Sequence, residues 1–428
     1  MHTKLKILFL IFLSVTITQA NDRYIVALKD KTVSHSINKS APLLNDEESI
    51  RQTANRLLNI SNVKSNTKMQ KDSLSNNENK IIYIYDKVLY GFAADLNNET
   101  FQDLKNNPEI KYIKKDTPVY LDTDPSLYPD TPPPLGSDGI DQIVQSPTPS
   151  WGLDRIDQRD KRGNNQYSYK YTGKGVHVYV LDSGINYEHN DFIGRIDDGY
   201  NHENNTTRSS DCLDHGTFVS GIIAGTKYGV AKQAIIHPVK VFPGCTGRNY
   251  SSDTIAGLNW VIKHHKKPAV MNLSLSGGIS IKNVIDSDKF TKYNIPVVVA
   301  AANQSRDACK VSPASSSYAI TVAASTKDDK KANYSNYGSC VDVFAPGSSV
   351  TSAYINGVYT EDDGSGTSYA APYVTGVVAK YLEKYPNATA QQVSDFIISN
   401  STKNKLEGLD SSSPNRLLYG VIDVPDED

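Results

Sequence analysis

Three apolar runs limit what the second half of this chain can fold into: GVHVYVLD at residues 175–182, AVMNLSLSG at 269–277 and IPVVVAAAN at 295–303. A strand with one wet face alternates apolar and polar residues. These runs are near-continuous and end in small or polar residues, the pattern of parallel strands covered on both faces. Between or after them lie stretches with helical spacing: GTFVSGIIAG (216–225), SDTIAGLNWVIKHH (252–265) and the run that begins at Ser368. Strand and helix in alternation predict a doubly wound α/β fold, a mostly parallel sheet flanked by helices. In such sheets ligands bind at the carboxyl ends of the strands.

That rule singles out four residues. Asp182 closes the strand in VLDSG, His215 opens a helix in DHGTFVSG, Asn303 closes VVVAAAN, and Ser368 opens the helix of GTSYAAP. Taken one at a time they read as a turn-forming Asp, a structural His, a turn Asn and a capping Ser. Taken together, each at the end of its element, they are the parts for acyl transfer. A carboxylate orients an imidazole, the imidazole takes a hydroxyl proton, and a carboxamide with a backbone N–H stabilises an oxyanion.

The first half is organised differently. Residues 1–20 carry Lys4 and Lys6, then LKILFLIFLSVTIT, then TQA, the layout of a secretory signal and too short for a membrane anchor. Within 21–120, YIVAL (24–28) and IIYIYDKVLYGFAADL (81–96) read as strands, broken at Gly91. A polar stretch near 61–80 reads as a loop, and ETFQDLKNNPEIKYIKK as a short helix, a stop and a last strand, which makes a small α+β domain. Residues 121–150, with TDPSLYPDTPPPLGSDG, read as a proline-rich linker, and 151–428 as the α/β domain. A length of 428 residues accommodates two folded units. A net charge of −2 argues against nucleic acid or an anionic membrane as partner. In an exported chain the four cysteines, Cys212, Cys245, Cys309 and Cys340, predict two disulfides with three connectivities open. Sequons at Asn98, Asn204, Asn333 and Asn387 fit a glycoprotein.

From Trp151 to about Val424 the chain resembles a subtilisin-type serine protease of the proteinase K and aqualysin branch. The resemblance rests on VYVLDSG, HGTFVSGIIAG, NLSLSGG, PVVVAAAN, SPAS, SNYGSCVDVFAPG and SGTSYAAPYVTG, with Asp, His and Ser in subtilisin's chain order. It implies that Asp182, His215 and Ser368 form a catalytic triad and that Asn303 is an oxyanion donor. It assigns Gly247 to Ser251 and Ser274-Leu275-Ser276-Gly277 to the two sides of a cleft for an extended peptide. It also implies the pairs Cys212–Cys245 and Cys309–Cys340, and a structural calcium held by Asp342 with the carbonyls of Ser317 and Ala319. The chemistry itself requires no cofactor. Residues 21–120 are similar to the inhibitor prodomain of these enzymes through YIVALK, YGFAADL and NNPEIKYIKKD. The expected protein is thus a secreted serine endopeptidase, hydrolysing peptide bonds through an acyl-enzyme. It is made as a self-processed precursor, inhibited by its own propeptide and cut within the linker, acts as a monomer, and ends outside the cell, in the wall or in a vacuole. The alternative is a catalytically impaired homologue serving as a peptide-binding or wall glycoprotein.

The family pattern is broken in five places. Phe218 replaces a second His, Asp214 and Ala302 stand where Gly is usual, Tyr369 replaces a Met, and Tyr373 replaces a His. Asp214 raises the pKa of the imidazole if its carboxylate lies close, and Ala302 matters if that backbone needs a conformation reserved for glycine. Asn303-Gln-Ser is itself a sequon, expected to stay bare because the fold shields it.

Overall fold

The computed structural model describes residues 22–29, 46–59, 79–121, 143–160, 163–355 and 359–422. The signal segment, most of the polar stretch near 61–80 and the middle of the linker lie outside the described residues.

All three apolar runs enter one sheet, nine-stranded among the described residues. From one edge its strands are Thr402–Lys403, Arg416–Leu417, Val343–Pro346, Ile320–Ser325, Val297–Ala300, Ala269–Leu273, His177–Asp182, Ile235–Lys240 and Tyr200–Asn201. Pairing is parallel except between Thr402–Lys403 and Arg416–Leu417. Both faces are covered, which explains the unbroken apolarity of the strands. Along His177–Asp182, Val178 and Val180 join the core under the helices His215–Ala224 and Thr367–Lys384. Tyr179 and Leu181 instead join the core under the helix Ser251–His264. The strand His177–Asp182 pairs with Ile235–Lys240 on one side and Ala269–Leu273 on the other. The chain order therefore reverses at this strand, and a crevice opens at its carboxyl end, at Asp182.

One of the runs is not a single strand. Residues 269–277 divide into Ala269–Leu273, in the main sheet, and Leu275–Ser276, which leaves it. The break falls at Ser274, whose backbone and side chain are both engaged by the helix carrying Ser368.

The N-terminal domain is a four-stranded antiparallel sheet in the order Lys80–Tyr85, Gly91–Leu96, Asp22–Leu28, Ile110–Lys115. One face packs on the helices Asp46–Leu57 and Asn98–Lys105 through Val26, Ile50, Ala54, Phe92 and Leu104. The other face sends Ile25, Ala27, Tyr85 and Ala93 into the core shared with the helix Ser251–His264. Polar contacts follow the same line: Tyr83 Oη donates to Asp253 (2.8 Å), Tyr85 Oη to the Ser252 carbonyl (3.1 Å), and the Lys87 N–H to Asn259 (2.9 Å). Residues 143–145 at the end of the proline-rich stretch form a strand paired with Tyr167–Tyr169.

Candidate active site

His215 is the first residue of its helix and is buried, as is Asp182. Its Nδ1 lies 2.8 and 3.0 Å from the two carboxylate oxygens of Asp182. A hydrogen bond of this kind fixes the ring and directs Nε2 away from the carboxylate. A second carboxylate secures the approach. Asp211 accepts from Ser183 Oγ (2.8 Å), the Leu213 N–H (2.9 Å), the Thr217 N–H (2.9 Å) and Thr217 Oγ1 (2.6 Å). Ser183 Oγ in turn accepts from the Gly216 N–H (2.9 Å), and buried Lys240 donates to the Ser183 carbonyl (2.7 Å). Gly216 is required here, because a Cβ at that position would fall 2.2 Å from the Gly184 carbonyl oxygen.

Ser368 is the second residue of the helix Thr367–Lys384, where backbone N–H groups have no carbonyl one turn back. Pro372 lies four residues further on and brings no N–H, so the Ser368 carbonyl loses its usual helical donor. Ser274 Oγ supplies the replacement at 2.7 Å, and Ser368 Oγ donates to the Ser274 carbonyl at 3.1 Å. Asn303 reaches the same turn from the end of its strand. Its Oδ1 accepts from the Thr367 N–H and from Thr367 Oγ1, both at 2.9 Å.

Of the five departures from the family pattern, two share a backbone conformation and two pack on each other. Asp214 and Ala302 both have positive φ, 66° and 75°, so two side chains occupy backbone suited to glycine, one before His215 and one before Asn303. The Asp214 carboxylate accepts a 2.5 Å bond from Tyr354 Oη, and burial pushes its carboxyl up against that bond. Phe218 and Tyr369 pack on each other with ring centroids 4.6 Å apart, and the Tyr369 ring lies 5.5 Å from His215. Tyr373 meets Ser150 Oγ at 3.1 Å through its hydroxyl.

The two cleft segments frame a strand of the N-terminal domain. Pro118–Leu121 runs antiparallel between Arg248–Tyr250 and Leu275–Ser276, with Tyr120 opposite Arg248 and Ser276, Val119 opposite Asn249, and Leu121 opposite Leu275. Val119 is fully buried. It fits because Gly277 has no side chain; a Cβ there would lie 2.5 Å from Val119 Cγ2. Gly247 forms the turn into its segment with φ of +64°. Asp116, just ahead of this strand, accepts from the Ser252 N–H (3.0 Å) at the start of the helix Ser251–His264. Its carboxyl is pushed up to about 6, chiefly by burial, against that backbone donor.

Both disulfides join the pairs expected from the resemblance, Cys212–Cys245 and Cys309–Cys340. The Asp342 carboxylate accepts from the Thr321 N–H at 2.8 Å, which places it beside the segment that carries Ser317 and Ala319. Burial pushes that carboxyl up to about 6.

The doubly wound parallel sheet, and an N-terminal domain whose strand Pro118–Leu121 is inserted between two strands of the larger domain, are the architecture of a serine protease carrying its own inhibitor domain. The chain belongs to the subtilase family, whose pattern matches residues 173–415. The peptidase inhibitor I9 pattern matches residues 23–122. An extracellular serine proteinase of a Thermus species is 43% identical over 338 residues, 78% of this chain and 77% of that protein. Alkaline serine exoprotease A of Vibrio alginolyticus is 38% identical over 341 residues, 80% of this chain and 60% of that one. The crystal structure of a cold adapted subtilisin-like serine proteinase superimposes with a TM-score of 0.61 at 40% identity, covering 65% of this chain and all of the other.

Thr367, Ser183 and Asp211 hold the residues around His215 and Ser368, and nothing in their residue type singles them out. The one usable signal was position: Ser183 directly follows Asp182, Asp211 stands four residues before His215, and Thr367 directly precedes Ser368.

Proposed function

We propose that this chain is a secreted precursor divided into a signal (1–20), an inhibitor propeptide (21–120), a linker (121–150) and a peptidase domain (151–428). The peptidase domain hydrolyses internal peptide bonds through an acyl-enzyme. Ser368 Oγ, which donates to the Ser274 carbonyl in this structure, turns its proton to His215 Nε2 and attacks the scissile carbonyl carbon as the imidazole takes it. Asp182 holds the imidazole and stabilises the imidazolium that forms. The carbonyl oxygen, now anionic, is met by Asn303 Nδ2 and the Ser368 N–H. His215 then returns the proton to the leaving amine as the C–N bond breaks. Water, deprotonated by the same imidazole, releases the acyl group and restores Ser368.

Substrate binds as an added strand between 248–250 and 275–276, main chain to main chain. The observation that carries this reading is the occupant of that groove: residues 118–121 already lie there as a peptide would, and the chain beyond Leu121 leads into the linker. That placement supports self-processing, with the cut in the linker. Calcium would suit Asp342 with the Ser317 and Ala319 carbonyls, an all-oxygen donor set, and would tie the 317–319 segment to the start of the strand Val343–Pro346. It has no part in the bond-breaking steps.

A fluorophosphonate probe tests the assignment. Processed protein is expected to carry the label on Ser368 alone; a processed protein that stays unlabelled would overturn it.

A further inference from the structure

At the opposite end of the strands from the groove, the sheet brings two imidazoles and a carboxylate together. His177 opens the strand His177–Asp182, and His237 lies in its neighbour, Ile235–Lys240. The register sets His237 opposite Tyr179, so His177, two residues earlier, is on the same face. His177 Nδ1 and His237 Nε2 are 2.8 Å apart, and Asp197 Oδ2 is 3.9 Å from His237 Nε2. One ligand atom from each of the three lies within 4.8 Å of the other two.

The cluster is held by its surroundings. His237 is buried, its ring stacks on Tyr179 (centroids 4.4 Å apart, planes at 15°), and its Nδ1 donates to the Asp198 carbonyl at 2.7 Å. That bond puts the proton on Nδ1 and leaves the Nε2 lone pair facing His177 and Asp197, the way a backbone carbonyl orients a ligating histidine. Asp197 is fixed through Oδ1, which accepts from the Asp198 N–H at 2.8 Å. Its Oδ2 accepts from Lys266 Nζ at 2.7 Å, and the Lys266 side chain is 58% exposed, free to swing into water.

Two ligand nitrogens on a tetrahedral zinc ion stand about 3.3 Å apart, for Zn–N bonds of about 2.0–2.1 Å. To meet that geometry the imidazoles part by about half an ångström, and the carboxylate approaches His237 by about half an ångström and His177 by no more than about 1.5 Å. Two imidazoles and one carboxylate suit zinc and exclude calcium, which takes oxygen ligands only. We propose that His177, His237 and Asp197 form a binding site for one zinc ion, with water at the fourth position. The site lies about 16 Å along the strand from Asp182, at about 3.3 Å per residue, and so takes no part in peptide hydrolysis. It clips the 194–198 segment to the two strands beside it.

The test uses the full precursor with Ser368→Ala, stripped by chelator and compared with the same protein carrying His177→Gln or Asp197→Asn. Zinc content after equilibrium dialysis and Tm with zinc chloride are both read. One tightly held zinc per chain is expected, with Tm raised by about 5 °C or more at zinc 100-fold above Kd. Both effects should be lost in either variant. If His177→Gln does not fold, Asp197→Asn decides alone. Retention of zinc and of the Tm rise in Asp197→Asn would overturn the proposal, as would a parent protein that holds no zinc.

Discussion

Val119 offers the most quantitative test of how the propeptide closes the groove. Its side chain is fully buried against the space left by Gly277, while the next residue, Tyr120, points outward and is 52% exposed. Val119→Ala removes two methyl-sized groups worth about 0.8 kcal/mol each on transfer from water. The facing surface at Gly277 is backbone, unable to collapse into the gap, so a cavity term adds to that loss of about 1.6 kcal/mol and brings the total to about 2–2.5 kcal/mol. The propeptide should then inhibit about 30- to 70-fold less tightly. The assay adds separate propeptide, residues 21–120, to the processed protease and follows hydrolysis of a chromogenic peptide to obtain an inhibition constant. Tyr120→Ala serves as the control, since an exposed side chain contributes within about 0.5 kcal/mol, or a factor of about two. Equal inhibition by Val119→Ala and the parent, or a larger loss from Tyr120→Ala, would refute the alternating in-and-out placement of this strand.

Three further outcomes are expected. Asn303→Ala should lower kcat by about 100- to 1000-fold, the range known for such a donor in subtilisin itself, and leave KM close to its starting value; steady-state kinetics on a peptide substrate measures both. Asp116 should make propeptide binding pH-dependent. Its carboxyl moves from 3.8 in water to about 6 in the complex, so the bound form keeps a proton that the free form has lost between those values. Affinity therefore falls as pH rises from about 4 to 6, by up to about 100-fold, and is level above that; Asp116→Asn should flatten the profile. Replacing Cys212 and Cys245 together by Ser opens a link between residues 33 apart in sequence, worth about 3–4 kcal/mol in the chain-entropy model. Calorimetry should show Tm lower by about 10 °C.

Much of the architecture was legible because burial on both faces of a parallel sheet leaves a mark in the sequence. The runs at 175–182 and 295–303 contain the strands His177–Asp182 and Val297–Ala300, and the helices at 215–224 and 251–264 fall within a residue of their apolar spacing. The run at 269–277 was misleading, since its break at Ser274 comes from a tertiary exchange of hydrogen bonds with Ser368 that no local window contains. The same limit hid the partnership of Thr367 with Asn303, and the meeting of His177 with His237 across 60 residues. The helix Asp46–Leu57 went unread, although its acidic first turn, Asp46, Glu47 and Glu48, is a recognisable start signal. Asp214 and Ala302 show where a family resemblance and a backbone angle meet. Both stand where glycine is usual, and both adopt the left-handed conformation that makes it usual.

The most direct test is expression of the whole precursor with and without Ser368→Ala, followed by intact mass and N-terminal sequencing. The parent should yield two chains, the downstream one starting within the linker at 121–150, while the Ser368→Ala protein should remain a single uncut chain. Cleavage at the same bond in both proteins, or an uncut parent that has folded with both disulfides formed, would contradict the assignment of Ser368 as the nucleophile.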